Sequence, residues 1–202
     1  MRLFRPGLIA RLIYPGAIFR IKTTEKLIFL TFDDGPDRIS TPRLLGILDK
    51  YKIKAIFFCC GARADKFSDI ISLIRAAGHV IGNHGWSHQD GWLTPLKKYI
   101  NDIESADDST SRDLFRPPYG HLGISQYRKL RQKYQIVFWD IMPYDFDRKF
   151  GSKQSLQILK KKIRPGSVIV LHDSQNSSSH EILEEFIPHV LESGYRFDNR
   201  IR

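Results

Sequence analysis

Short apolar runs alternate with amphipathic stretches along most of the chain. Seven runs are rich in β-branched and aromatic residues and have the length of buried strands. They cover residues 26–32, 55–59, 79–82, 114–115, 135–140, 167–172 and 195–197. The stretches between them have the apolar spacing of helices, and strands that alternate with helices are typical of a parallel sheet.

Turn and capping residues set the bounds of six predicted helices. A Ser40-Thr41-Pro42 start opens the first, because proline suits the first helical turn. Glycine or Pro-Gly pairs end several of the others. The predicted helices cover residues 42–51, 65–77, 94–107, 125–133, 152–163 and 181–193. Seven strands suffice for a closed or nearly closed barrel, in which chemistry collects at the C-terminal ends of the strands.

Length and charge narrow the class of protein. With 202 residues, of which 42% are hydrophobic and 27% charged, the chain is expected to form one globular domain. The net charge of +10 fits an anionic partner. However, the charge is spread along the chain, and no helix-turn-helix, zinc-finger or RNA-recognition signature accompanies it. We therefore expect no nucleic-acid partner.

Residues 1–24 differ from the rest, because they carry five basic residues and no acid. We interpret them as a basic N-terminal arm, followed by a catalytic domain over residues 25–202. The arm either packs on the domain or makes weak contact with anionic lipid, and its prolines favour packing. Prolines and Arg11 also interrupt any signal-peptide core, and adjacent Cys59 and Cys60 make no disulfide framework. The expected location is the cytoplasm, peripheral to the inner face of the membrane if the arm binds lipid.

Two carboxylates follow the first predicted strand. Asp33 and Asp34 precede a Gly-Pro pair, which is also compatible with a simple turn. Adjacent carboxylates repel each other unless a cation lies between them. A bound metal ion would satisfy one carboxylate and leave the other free as a base.

Two histidines follow the third predicted strand. His84 and His88 have the i, i+4 spacing that places two imidazoles on one helix face, where they can chelate a metal ion. Two unrelated histidines are the alternative. Two histidines and one aspartate are the facial pattern of catalytic zinc and non-haem iron sites.

Further polar residues lie near the ends of the fourth to sixth strands. The sequence Arg116-Pro117-Pro118-Tyr119-Gly120 is either a stiff turn or a loop that lets Arg116 meet a carboxylate and the Tyr119 amide face the site. His172 has the chemistry of a general acid. Asp145 could hold His172 and keep it protonated. The chain lacks the motifs of serine hydrolases, zincin proteases, NTPases and nicotinamide oxidoreductases.

In this order, these residues resemble the polysaccharide deacetylase family, which is carbohydrate esterase family four and carries the NodB homology domain. The resemblance spans residues 26–195. TFDDGP matches the first family motif, HGWSH resembles the second, RPPYG matches the third and IVLH matches the fifth. The resemblance implies an α/β fold, a distorted (β/α)7 barrel with a parallel, TIM-barrel-like sheet.

The resemblance also implies a role for each site residue. Asp33 would be the general base, Arg116 its partner, His172 the general acid and Asp145 the charge partner of His172. The metal ligands would be Asp34, His84 and His88. Substrate contacts would come from Tyr119, whose amide would bind the oxyanion, and from Phe146 and Leu171. The cofactor would be one divalent metal ion, with zinc as the default and iron, cobalt or nickel as alternatives.

Two motifs depart from the family pattern. Gly85 replaces a serine or threonine that steadies the histidine loop. The fourth motif lacks its upstream aspartate, although Asp140 lies nearby, and Phe146 replaces a tryptophan that lines the acetyl pocket. The predicted function is metal-dependent removal of N-acetyl groups from an N-acetylated sugar or polysaccharide. The alternatives are deacetylation of a non-sugar amide or an O-acetyl ester, and a catalytically silent glycan-binding member.

Overall fold

Seven short parallel strands form one curled sheet in the computed structural model, which describes residues 4–201 apart from the side chain of Leu8. The strands are β1 Leu27–Asp33, β2 Ile56–Cys59, β3 Val80–Asn83, β4 Leu114–Phe115, β5 Gln135–Ile136, β6 Ser167–His172 and β7 Arg196–Phe197. Their order in the sheet is β5-β4-β3-β2-β1-β6, and β7 pairs with the beginning of β1.

The sheet curls because the chain beyond β5 returns to the opposite edge. Ile141 pairs with Ile169 of β6, so the two edge strands are linked by a parallel bridge. All the carboxyl ends therefore face one rim, where the site residues were predicted. The prediction of a parallel α/β barrel is confirmed.

Helices cover the outside of the sheet. They are α1 Leu8–Ile13, α2 Ser40–Lys50, α3 Gly61–Lys66, α4 Ser68–Ala76, α5 Leu96–Ser105, α6 Ile124–Leu130, α7 Ser152–Lys162 and α8 Ser179–Glu192. No helix in the described part of the chain is both long and apolar enough to cross a membrane.

Two predicted elements differ in the structure. The helix predicted over residues 65–77 is two helices, because the backbone of Phe67 leaves the helical region while its ring packs against the main core. The strand predicted over residues 135–140 stops at Ile136. Beyond it, Val137 pairs with Ile18 of the N-terminal arm, and the Asp140 side chain turns to Arg164.

Alternation along β1 determines which side chains reach the barrel interior. Ile28, Leu30 and Phe32 point outward into the main core beneath the helices. Phe29 belongs to a separate cluster with Phe58 of β2 and other residues from inside the barrel. Thr31 and Asp33 share the inward direction, so the strand period itself aims Asp33 into the barrel.

Residues 4–24 of the N-terminal arm extend over the barrel. Phe19 stacks on Phe138 with ring centroids 4.7 Å apart, and Tyr14 stacks on the same ring at 5.1 Å. Near the start of the arm, Phe4 meets Tyr144 edge-on at 5.5 Å.

Asp140 anchors the arm electrostatically. Its side chain is only 1% exposed, and Arg5 and Arg11 of the arm approach it together with Arg164 from the end of α7. Burial raises the pKa of Asp140, but hydrogen bonds from Arg164 and Ser167 lower it below its usual range. Asp140 lies near the fourth motif in the sequence, but in the structure its carboxylate interacts with these three arginines.

Candidate active site

A cavity of about 420 Å³ opens at the carboxyl ends of the strands. Most of the residues predicted for the site contribute to it. Its lining comprises Asp33, Asp34, His84, His88, Tyr119, Gly120, His121, Trp139, Met142, Phe146, Val170 and His172. A larger groove of about 600 Å³ lies at the other end of the strands, away from these residues.

Asp33 and His172 occupy equivalent positions on adjacent strands. They are paired in the register of β1 and β6, which places both groups at the same level of the rim. Asp34 comes directly after β1, and its φ of 76° turns the chain out of the strand. The turn directs the Asp34 carboxylate toward the histidines instead of into the core.

Arg116 is completely buried beneath the cavity and contacts Asp33 from the barrel interior. Its guanidinium donates to Asp33 Oδ1 at 2.6 Å and to the Thr31 hydroxyl at 2.7 Å. It also donates to the carbonyls of Val137 and Phe138, and it lies 4.1 Å from the Phe58 ring. These contacts occupy Asp33 Oδ1 and leave Oδ2 as the oxygen nearer the histidine cluster, 4.0 Å from His84 Nε2.

The two histidines lie on a loop and not on a helix. The i, i+4 helical geometry was therefore wrong, although the loop brings the rings together with centroids 5.0 Å apart. Positive φ values at Gly85 and His88 fold the loop back. His84 Nδ1 lies 2.8 Å from the Arg116 carbonyl, which leaves Nε2 facing Asp34.

Asp34, His84 and His88 form a cluster that could hold a metal ion. Asp34 Oδ1 lies 3.6 Å from His84 Nε2 and 3.2 Å from His88 Nε2, and the three ligand atoms lie within 4.8 Å of one another. Ligands bound about 2.0–2.2 Å from one tetrahedral ion lie roughly 3.3–3.6 Å apart. The donor set, and the two distances from Asp34 Oδ1, therefore fit a divalent cation.

The charge on Asp34 also suits a ligand. Burial raises the pKa of Asp34, but hydrogen bonds to His84 and His88 outweigh this effect and lower the pKa far below its usual range. A carboxylate that stays ionised at neutral pH is the form that binds a metal ion.

His172, which lines the cavity, is paired with the buried Asp145 behind it. Asp145 Oδ1 lies 2.9 Å from His172 Nδ1, and its other oxygen accepts the His172 backbone N–H at 2.7 Å. Burial lowers the pKa of His172, but attraction to Asp145 and the hydrogen bond with it raise the pKa to about 9. His172 therefore carries a proton at neutral pH, as a general acid must.

Comparisons with known proteins assign the chain to a family. Residues 20–139 match the model of the polysaccharide deacetylase family. The chain belongs to the polysaccharide deacetylase family. Two Bacillus cereus proteins named peptidoglycan-N-acetylglucosamine deacetylase are similar to it. One is 31% identical over 189 residues, which are 89% of this chain and 88% of that protein. The other is 33% identical over 180 residues, which are 84% of this chain and 65% of that protein.

A solved family member has the same architecture. The crystal structure of a peptidoglycan N-acetylglucosamine deacetylase superimposes with a TM-score of 0.88 at 29% identity, and the match covers 95% of this chain and 94% of that one. The fold of this chain is therefore that of the polysaccharide deacetylase barrel.

The histidine loop has a glycine, Gly85, directly after its first histidine, so no side-chain hydroxyl at this position steadies the loop. Gly85 has a φ of 75°, and a Cβ there would lie 2.9 Å from Asp102 Oδ2. The Asp102 carboxylate of α5 instead accepts the Trp86 N–H at 3.0 Å and the Ser87 hydroxyl at 2.5 Å. Sequence reasoning missed Asp102, because no short motif links α5 to the loop.

The predicted substrate contacts divide into two groups. Tyr119 and Phe146 both line the cavity, Tyr119 with its ring 4.5 Å from His88 and Phe146 with its ring 4.7 Å from His172. Leu171 does not fit its predicted role, because it is fully buried in the main core. Alternation along β6 sends Leu171 outward and turns Val170 and His172 to the cavity.

An aromatic pair that the sequence did not assign flanks the cavity. His121 lines the cavity, and its Nδ1 lies 2.9 Å from Asp90 Oδ2. Its ring stacks on the Trp92 indole with centroids 3.6 Å apart. Trp92 is 65% exposed. A flat aromatic surface of this kind beside the cavity can pack against the apolar face of a sugar ring.

The cluster leads to a binding prediction. We expect the protein to bind one divalent metal ion per chain, and His88→Ala to weaken binding by at least about 100-fold, because it removes one of three protein ligands. Isothermal titration calorimetry with zinc, at matched pH and salt, measures this directly. His189→Ala, which changes a half-buried histidine on α8, is the matched control and should bind like the wild type. Equal affinities for the wild type and His88→Ala would show that the metal binds elsewhere.

Proposed function

We propose that this polysaccharide deacetylase is a metal-dependent hydrolase that removes the N-acetyl group from an N-acetylated sugar. One observation carries the proposal. A proton acceptor, a triad of metal-ligand type and a protonated histidine converge on a single cavity at the rim of the barrel. The names of the similar Bacillus cereus proteins make peptidoglycan N-acetylglucosamine the first substrate to test.

Asp34, His84 and His88 would hold the metal ion. When bound there, zinc or a similar cation supplies Lewis-acid chemistry, in which it polarises the acetyl carbonyl and acidifies water. The Arg116 carbonyl keeps His84 in the orientation that presents Nε2. Iron, cobalt and nickel suit the same ligand set, so the identity of the metal stays open within this proposal.

Asp33 would act as the base. Arg116 occupies Oδ1, so Oδ2 is available to take a proton from the attacking water. The water oxygen forms a bond to the acetyl carbon, and the proton moves to Asp33. The Tyr119 amide, on the adjoining loop, would donate to the oxyanion, an interaction worth about 2.7–4 kcal/mol where such donors have been removed in enzymes.

His172 would act as the acid. The carbon–nitrogen bond breaks only if the leaving nitrogen gains a proton, because an amide anion is a very poor leaving group. The proton on His172 moves to that nitrogen, and acetate and a free amine are the products. Asp145 keeps His172 charged and fixes its ring from the side away from the cavity.

The assignment of the base can be tested by substitution. Asp33→Asn should lower the rate of acetate release by about 10²–10⁴-fold, because general-base catalysis contributes that much. Zinc stoichiometry should not change, because Asp33 is not a proposed ligand. Acetate release from N-acetylglucosamine oligomers and peptidoglycan measures the rate, and an O-acetylated sugar tests the ester alternative.

Controls separate chemistry from folding. Thermal unfolding of Asp33→Asn is needed, because the substitution leaves the buried Arg116 beside a neutral partner. Asp113→Asn changes an exposed aspartate and should keep the wild-type rate. A folded, metal-loaded Asp33→Asn protein with wild-type turnover would refute the role of Asp33 as base.

The pH dependence tests the acid. The pKa of His172 is raised to about 9, so its acid form is populated below this pH and is lost as the pH rises through it. We expect kcat to fall on the alkaline side at or somewhat below this pH, since a bound cation would oppose the charge on His172. Asp145→Asn removes the main cause of the raised pKa and should move that limb to lower pH. An alkaline limb that does not move in Asp145→Asn would assign it to another group.

A further inference from the structure

The short helix α1 in the N-terminal arm exposes an apolar face. Ile9 is 71% exposed, Leu12 79% and Ile13 42%, and their i, i+3, i+4 spacing places them on one side of the helix. Ala10 and Tyr14 pack on the barrel from the other side. Ile9 and Leu12 are therefore left largely uncovered by residues 4–201, although their helix is attached to the barrel.

An excess of positive charge lies next to α1. Arg5, Arg11 and Arg164 share the single carboxylate of Asp140. Burial lowers the pKa of Arg5, Asp140 opposes this, and repulsion from Arg164, Arg20 and Arg11 lowers the pKa further. The cluster thus holds more positive charge than Asp140 can neutralise.

Lysines of α7 extend this charge. Arg5 donates to the carbonyl of Lys162, so the last turn of α7 lies directly beside the arm. That turn contains three consecutive lysines, Lys160, Lys161 and Lys162. We call α1 together with these arginines and lysines the arm surface.

The arm surface adjoins the rim of the cavity at two points. At one end, Phe4 contacts Tyr144, which lies 5.6 Å from Phe146 of the cavity wall. At the other end, the Tyr14 hydroxyl donates to the carbonyl of Leu122, the residue after His121 of the cavity wall. Trp92, which stacks on His121, and Leu93 are both strongly exposed.

We propose that the arm surface docks on an anionic phospholipid bilayer and holds the opening of the cavity close to the membrane. Exposed apolar side chains on a helix that lies beside clustered arginines and lysines suit insertion at the boundary between headgroups and acyl chains. Anionic headgroups would neutralise the charge that Asp140 leaves uncompensated. A second copy of the chain fits less well, because it would bring two basic surfaces together.

Docking would favour an N-acetylated sugar that is itself held at a membrane, for example on a lipid carrier. This consequence rests on the proposed function, whereas docking does not. A substrate presented at the surface would meet the cavity at a high effective concentration. Soluble sugars would still enter, because α1 does not line the cavity.

Vesicle co-sedimentation tests the docking. The full chain is mixed with vesicles of equal parts phosphatidylglycerol and phosphatidylcholine, or of phosphatidylcholine alone, at low and high salt. We expect binding to the anionic vesicles that weakens with salt. Ile9→Ser with Leu12→Ser should weaken that binding by about tenfold or more, since it removes the inserting side chains. Leu73→Ser with Leu191→Ser, which removes two exposed leucines from α4 and α8, is the matched control and should bind like the wild type.

Each result has a defined meaning. Equal binding of the Ile9/Leu12 variant and the wild type to anionic vesicles would overturn the proposal, as would failure of the wild type to bind. A concentration-dependent dimer without vesicles, lost in the Ile9/Leu12 variant, would instead assign the face to self-association. Acetate release from soluble oligomers should be the same in the wild type and the variant. Vesicle binding without any acetate release would contradict the proposed function and leave the docking intact.

Discussion

The buried guanidinium of Arg116 is the contact on which the rest of the site depends. A charge with no exposure to water is costly unless every donor is used, and here donors reach Asp33, Thr31 and two carbonyls beyond β5. The same residue holds His84 through its backbone carbonyl. One residue therefore links β1, the chain beyond β5, the proposed base and one proposed metal ligand, the first three through its side chain and the last through its backbone.

The loops above Arg116 contain strained backbone. Asp34, His88 and Tyr119 are non-glycine residues with φ between 57° and 76°, a conformation that costs of order 1–3 kcal/mol each. Such conformations persist only where the surroundings determine them. Arg116 fixes the end of β1, and Asp102 fixes the histidine loop from α5. Three of the five non-glycine residues with positive φ in the described chain therefore meet at the cavity, and the other two are Lys52 and Tyr144.

Much of the architecture could be predicted because it follows from local rules. Alternating strands and helices imply parallel strands, parallel strands place their carboxyl ends together, and Asp33, His84 and His172 follow those ends. The predicted element boundaries were wrong where contacts between residues far apart in the sequence determine the backbone. Phe67 breaks a helix because its ring packs in the core, and Val137 leaves β5 for Ile18 of the arm. The family resemblance implied a substrate contact for Leu171, although alternation along β6 turns its side chain into the main core. Asp102 and the cluster around Asp140 depend on residues far apart in the sequence, so no local pattern could reveal them.

The measurement that tests the central claim most directly is acetate release during removal and return of the metal. The protein is stripped with a chelator, its residual metal content is measured, and zinc is titrated back while acetate from N-acetylglucosamine oligomers is followed. The account predicts that release stops in the stripped protein and is fully restored at one metal ion per chain. Undiminished acetate release from metal-free protein would contradict it.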